Sequence, residues 1–213
     1  MKPCEEGRHD EPRSNGVDLA ALIRRLLESV QAPLLAPFLA EWPSAPDRRV
    51  PLASELPVLR WLPQIAGGAC AFGPDVVAAV CQTAASLAWR QTYTAAQMDA
   101  GFLDNYGWSE ILGHNGPRMS ERIACGFLLL GPSTHYPRHY HEAEEIYLPL
   151  SGTAEWQQGD AEWQQRMPGT LIHHAGDEPH AMRTAAAPLL ALYLWRSANL
   201  AQKARLTGPE IFS

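Results

Sequence analysis

The chain has 213 residues, 46% hydrophobic and 19% charged, enough for one domain with a sizeable core or a core domain with a helical appendage. Its net charge is −6, with Lys and Arg scattered rather than clustered, which argues against nucleic acid as a partner. No run reaches membrane-spanning length and the first residues lack an apolar signal core, so a cytoplasmic protein with no membrane partner is expected.

Residues 1–16 are charged, contain Pro and Gly, and show no periodicity, so they read as a disordered N-terminus. From Val17 the pattern turns helical. Leu19, Leu22, Ile23, Leu26 and Leu27 recur at helical spacing, with Asn15 as a candidate cap. The stretch PLLAPFLAEW is cut by Pro33 and Pro37 and predicts a short second helix or turn. SELPVLRWLPQI has helical rhythm and ends at Pro63 and the Gly67-Gly68 pair. Residues 74–105 are Ala-rich and predict one or two further helices. Residues 17–107 therefore read as a helical segment packed on the C-terminal half of the chain.

After about residue 108 the texture is β-like. Short apolar runs such as ERIACGFLLLG, EEIYLPLSGTAEWQQ, PHAMRTA and PLLALYLWRS are separated by Gly, Pro, Asp or Asn. AEWQQ occurs at 154–158 and again at 161–165, with Gly159-Asp160 between them, a hairpin signal with a two-residue turn. The expected layout is mainly β: residues 108–213 as an antiparallel sandwich or small barrel, carrying the N-terminal helices, α+β overall. The cysteines, Cys4, Cys70, Cys81 and Cys125, are far apart and form no CxxC pair, so they read as reduced thiols.

The densest chemistry lies in HYHEAEEIYLPLSG, residues 139–152. On a strand, residues two apart share a face, so His139 and His141 can point into one cavity, with Glu145 and Tyr147 on that face if pairing stays regular. Imidazoles with a carboxylate suit a divalent transition metal: Zn, Fe, Mn, Co or Ni. A further ligand must return from elsewhere, and His180 in GDEPHAM is the candidate, with His173 and His174 as competitors. Asp177 and Glu178 read as the turn before His180, and His135 as either a supporting residue or a surface one.

HYHEAEEIYLPLSG followed by GDEPHAM resembles the two metal motifs of the cupin superfamily. The second departs from the pattern, because the Gly normally found ahead of its His is missing. With the tyrosines included, GPSTHYPRHYHEAEEIYLPLSGTAEW resembles the core of the cupin-type dimethylsulfoniopropionate lyases. That resemblance implies a cupin β-barrel, a metal held by His139, His141, Glu145 and His180, and a small zwitterionic substrate. It implies cleavage of dimethylsulfoniopropionate to dimethyl sulfide and acrylate, with Tyr147 as the base and Tyr136 binding or orienting the substrate. Aromatic faces attract a sulfonium. Trp108, Trp156, Trp163, Tyr193 and Trp195 are candidates for that wall, whereas alternation turns Tyr140 away, with Ile146 and Leu148, to pack on the other face. The same ligands would serve another cupin metalloenzyme, a dioxygenase or isomerase on a small carboxylate, or a binding module without turnover. The resemblance leaves the assembly as monomer or homodimer, with the N-terminal helices covering the barrel or building a dimer contact.

Overall fold

The computed structural model describes residues 17–44, 46–68 and 71–207. The expected disordered stretch 1–16, the Asn15 cap, Cys4 and Cys70 lie outside these residues. Helix α1 runs from Leu19–Val30 and is capped by Asp18, whose side chain accepts from the Ala21 amide. A 3-10 turn (Pro33–Leu35) leads into the short α2, Ala36–Ala40. A second 3-10 turn (Pro57–Trp61) leads into α3, Leu62–Ala66, which holds Pro63 in its first turn rather than ending there. A proline is tolerated in a helix's first turn because that amide has no intrahelical partner. Helix α4, Pro74–Thr83, is followed by the strand β1, Trp89–Arg90, and the one-turn helix α5, Ala100–Asp104. Strand structure thus begins inside the Ala-rich stretch read from sequence as helix.

The remaining strands are β2 (Tyr106–Leu112), β3 (Ile123–Leu130), β4 (His135–Tyr140), β5 (Glu144–Ser151) and β6 (Ala154–Gln158). They are followed by β7 (Gln164–Arg166), β8 (Ile172–His174), β9 (His180–Thr184), β10 (Leu189–Arg196) and β11 (Arg205–Leu206). They form two antiparallel sheets, one of six strands in the order β1-β2-β3-β10-β5-β8 and one of five in the order β11-β4-β9-β6-β7. The AEWQQ copies do not pair as expected. A turn closes at Gln158–Ala161, but Ala161, Glu162 and Trp163 stay outside the ladder and Trp156 pairs with Gln164. Trp163 instead stacks under the Arg183 guanidinium, 4.3 Å from its ring centre, and beside His135.

Both faces of the six-stranded sheet are buried, which is why β3 reads as an unbroken apolar run. Ile123, Cys125, Phe127 and Leu129, with Ile146, Leu148, Leu190 and Leu192, pack against Ile23, Leu27, Phe38, Ile65 and Val80 of the helices. Ala124, Leu128, Leu130, Tyr147, Ala191 and Tyr193 face the other way, toward Tyr136, Trp156 and Met182 of the second sheet. The helices therefore form a third layer over the sheet, and the site lies between the two sheets. No described helix is long and apolar enough to cross a membrane.

Candidate active site

The sequence places His139, His141, Glu145 and Tyr147 along one strand. The structure separates them. His139 lies on β4 of the five-stranded sheet, the chain turns through His141, and Glu145 and Tyr147 lie on β5 of the six-stranded sheet. They converge because the sheets face each other, not because one ladder runs through them. A β-bulge in β4 sets His139: Tyr136 pairs with Met182 and His139 with His180, so two residues on β4, Pro137 and Arg138, oppose one on β9, Ala181. The extra residue turns both side chains to the inner face, and their rings stack with centroids 4.0 Å apart and planes 8° off parallel.

His141, Glu145 and His180 each offer one ligand atom, and these atoms lie within 4.8 Å of one another in a buried cluster. His141 Nε2 is 2.9 Å and His180 Nε2 is 3.2 Å from the same oxygen, Glu145 Oε2. The opposite nitrogens are tied to backbone. His141 Nδ1 meets the Ala143 carbonyl at 3.0 Å and His180 Nδ1 the Glu178 carbonyl at 2.9 Å. His139 Nδ1 does the same with Pro137, at 2.9 Å. Each such contact favours the Nδ1–H tautomer and leaves an Nε2 lone pair. His180 Nε2 is buried and has no hydrogen-bond partner despite its closeness to the carboxylate. Two fixed imidazole lone pairs converging on one carboxylate, one of them orphaned, fit a divalent transition ion. His139 stands beside this trio, its ring centre 4.2 Å from that of His180, but is not part of it.

Trp195 completes the support: its Nε1 donates to Glu145 Oε1 at 2.6 Å, leaving Oε2 for the histidines. Asp177, in the left-handed region at φ 60°, donates its amide to the His141 carbonyl at 2.7 Å, so the turn before His180 also holds the loop that carries His141. Gly152 at φ 83° is needed because a Cβ there would collide with the Pro188 carbonyl oxygen, where β5 leaves the sheet beside the start of β10.

The electrostatics follow from burial and mutual charge. Burial alone would raise the Glu145 carboxyl, but the His141 and His180 imidazoles hold it well below the usual range. Burial pulls His141 down, yet Glu145 outweighs it and the imidazole ends raised. His139 is pulled well down, by burial first and then by His180. Burial, reinforced by the Glu145 charge, holds the Tyr147 phenol well up.

Neither competitor of His180 belongs to the trio. His173 bonds the Glu144 carboxylate at 2.8 Å, on the far side of β5 from the cluster, where Arg196 also joins Glu144. His174 is fully buried and stacks on His180 at 3.9 Å, with both nitrogens lacking hydrogen bonds. Burial pushes its imidazole down to about 3, which keeps it neutral. His135 is exposed beside Trp163, on the outside of its sheet.

A cavity of about 120 Å³ opens against the cluster. Glu145, His139, Tyr147 and Tyr136 line it, as do Trp108, Tyr193 and Trp195 of the expected aromatic wall. Trp156 does not line it, being packed behind Tyr147 with ring centres 6.2 Å apart, and neither Trp163 nor Tyr140 reaches it. Tyr140 is half-buried and pairs with Arg205 of β11, while Ile146 and Leu148 pack under the helices, so the three do not share a face. The sequence reading passes over three residues ahead of residue 108. Tyr93, Phe102 and Tyr106 surround Tyr136, and the Tyr93 and Tyr136 hydroxyls are 3.2 Å apart. The alternation of Tyr106, Trp108 and Glu110 on β2 is the signal that could have pointed to that wall.

Two facing antiparallel sheets with helices outside and a histidine–carboxylate cluster within define a cupin. The family model for dimethylsulfoniopropionate lyase matches residues 37–191, and the chain belongs to that family. It is 36% identical over 122 residues to dimethylsulfoniopropionate lyase DddQ of Ruegeria pomeroyi, covering 57% of this chain and 60% of that one. It is 34% identical over 119 residues to putative dimethylsulfoniopropionate lyase DddL of Cereibacter sphaeroides, covering 55% of this chain and 49% of that one. The chain thus matches only about half to three-fifths of the length of these curated relatives. A chain from the crystal structures of DMSP lyases RdDddP and RnDddQII matches with TM-score 0.81 and 30% identity, over 90% of this chain and 96% of that one. DddQ from Ruegeria pomeroyi matches with TM-score 0.79 and 28% identity, over 91% and 98%.

Proposed function

We propose that this chain is a metal-dependent carbon–sulfur lyase that cleaves dimethylsulfoniopropionate to dimethyl sulfide and acrylate. The observation that carries the reading is the buried His141–Glu145–His180 trio, whose Glu145 lines the same cavity as His139, Tyr147 and Tyr136, in a chain of this family. His141, Glu145 and His180 would hold the ion, with His139 beside them as the fourth candidate ligand. A divalent transition ion bound there supplies Lewis acidity to the substrate carboxylate and a positive charge beside the Tyr147 oxygen.

The chemistry asked of the protein is removal of a weakly acidic proton from the carbon next to the carboxylate. Tyr147, two residues beyond Glu145 and on its face of β5, would take that proton as the phenolate, the form that the charge of a bound ion would favour against burial. The electron pair left behind forms the carbon–carbon double bond and the carbon–sulfur bond breaks, so neutral dimethyl sulfide leaves and acrylate remains. The proton held on the Tyr147 oxygen then passes to solvent. Tyr136, stacked on His139 and bonded to the Tyr93 hydroxyl, would orient the substrate.

The test is gas chromatography of headspace dimethyl sulfide from purified protein given substrate and each of several divalent metals. Metal-dependent release is expected, lost by about a hundredfold or more in Tyr147→Phe, which removes the base, and in His141→Ala. No release from folded, metal-loaded protein would overturn the proposal.

A further inference from the structure

Glu110 is the buried charge that the site so far described does not use. It lies on β2, three strands from Glu145's strand across the six-stranded sheet, and is only 8% exposed. One oxygen, Oε1, accepts from the backbone amides of Asn115 and Gly116. Among the described residues no Arg or Lys forms an ion pair with it. The carboxylate also lines the cavity that Glu145 and Tyr147 line. The register explains how it gets there. Glu110 pairs with Gly126, Gly126 with Tyr193, and Tyr193 with Tyr147, so one rung crosses from β2 to β5. Gly126 puts no side chain on that rung, and a Cβ there would collide with the Ser109 carbonyl oxygen. Tyr193 therefore lies between the two carboxylates and is acted on by both.

An ionised carboxylate without a cationic partner is costly to bury. Burial raises the Glu110 carboxyl, and the amides of Asn115 and Gly116 and the nearby His114 offset that only in part. A site that tolerates this cost beside Trp108 and Tyr193 is built to receive positive charge from a ligand. The histidine cluster at the other end suits an anion-binding metal. Lys203 also borders the cavity, but it is exposed to solvent, where a charge is worth little.

We infer that Glu110 binds the cationic end of the substrate, so that the cavity selects zwitterions over carboxylates with neutral tails. This rests on the function proposed above. It assigns Glu110 to binding and specificity, with no part in the proton transfer.

The test uses metal-loaded full-length protein and an isosteric pair of carboxylates that cannot lose sulfide: 3-(trimethylammonio)propionate and 4,4-dimethylpentanoate. They differ only in the charge of the tail. Titration calorimetry should show the wild type favouring the cationic compound by tenfold or more. In Glu110→Gln, which keeps an oxygen for the Asn115 and Gly116 amides, that preference should fall at least tenfold while the neutral compound binds as before. In the dimethyl sulfide assay KM should rise with kcat little changed. If Glu110→Gln does not fold, Glu110→Asp, which withdraws the charge by one methylene, should still lower the preference. An unchanged preference in the folded variant, or equal binding of both compounds by the wild type, would overturn the inference and leave the lyase reading standing. Failure of the wild type to bind either compound would overturn the inference, and absence of dimethyl sulfide release from the same metal-loaded protein would overturn both.

Discussion

The indole of Trp195 holds one oxygen of Glu145 at 2.6 Å, and its ring lies 4.3 Å from the His141 ring, so one side chain positions two of the three candidate ligands. Removing a group that orients a ligand typically weakens metal binding roughly 10- to 100-fold. Trp195→Phe keeps the packing and deletes the donor, so it is expected to lower metal affinity within that range, read by competition with a chromogenic chelator. Unchanged affinity would show that the carboxylate is oriented by its own backbone. His141, Glu145 and His180 are legible in the sequence because their residue types and spacing carry the chemistry directly. The role of Trp195 is not legible, since it follows from the register that sets Trp195 opposite Glu145, which the whole sheet determines. Glu110 escapes for the same reason: its access to the cavity depends on the missing side chain of Gly126 on a neighbouring strand.

At the scale of elements, the site depends on where strands are interrupted. The bulge in β4 turns His139 inward, and the break between β4 and β5 carries the chain from one sheet to the other. The alternation rule correctly keeps Glu145 and Tyr147 together on β5, but it assumes one unbroken strand and cannot reveal that the chain changes sheet between Tyr140 and Glu144; Pro137, inside the bulge, is the residue that signals the irregularity in β4. Helix content in the Ala-rich stretch misleads for a related reason. Trp89 and Arg90 are strand because they pair with Ser109 and Trp108, and that non-local pairing overrides local propensity. Gly152 is the interruption most open to test. Its positive φ and its closeness to Pro188 both exclude a side chain. Gly152→Ala is expected to destabilise the fold by at least 1–3 kcal/mol, on the order of the cost of a strained backbone position, measured by urea denaturation. A midpoint unchanged from wild type would mean that the β5–β6 turn relaxes freely.

At the scale of the whole molecule, the helices and the sheets form one body with the six-stranded sheet as its middle layer. The helical half is more than a cover, since Tyr93 and Phe102 come from it and pack around Tyr136 at the cavity. The sheet's centre is β10, which lies between β3 and β5 although these two precede it in the chain by dozens of residues. That placement has a consequence for synthesis. Until residues 189–196 emerge from the ribosome, β3 and β5 each lack a neighbour on one apolar edge, and Glu145 on β5 has neither Trp195 to hold it nor a finished wall beside it. A chain ending at residue 186 is therefore expected to aggregate in sedimentation experiments where the full chain does not. A soluble, native-like truncated chain would show that the edges are protected some other way. The candidate metal site is therefore complete only once the last long strand lies between two strands made well before it.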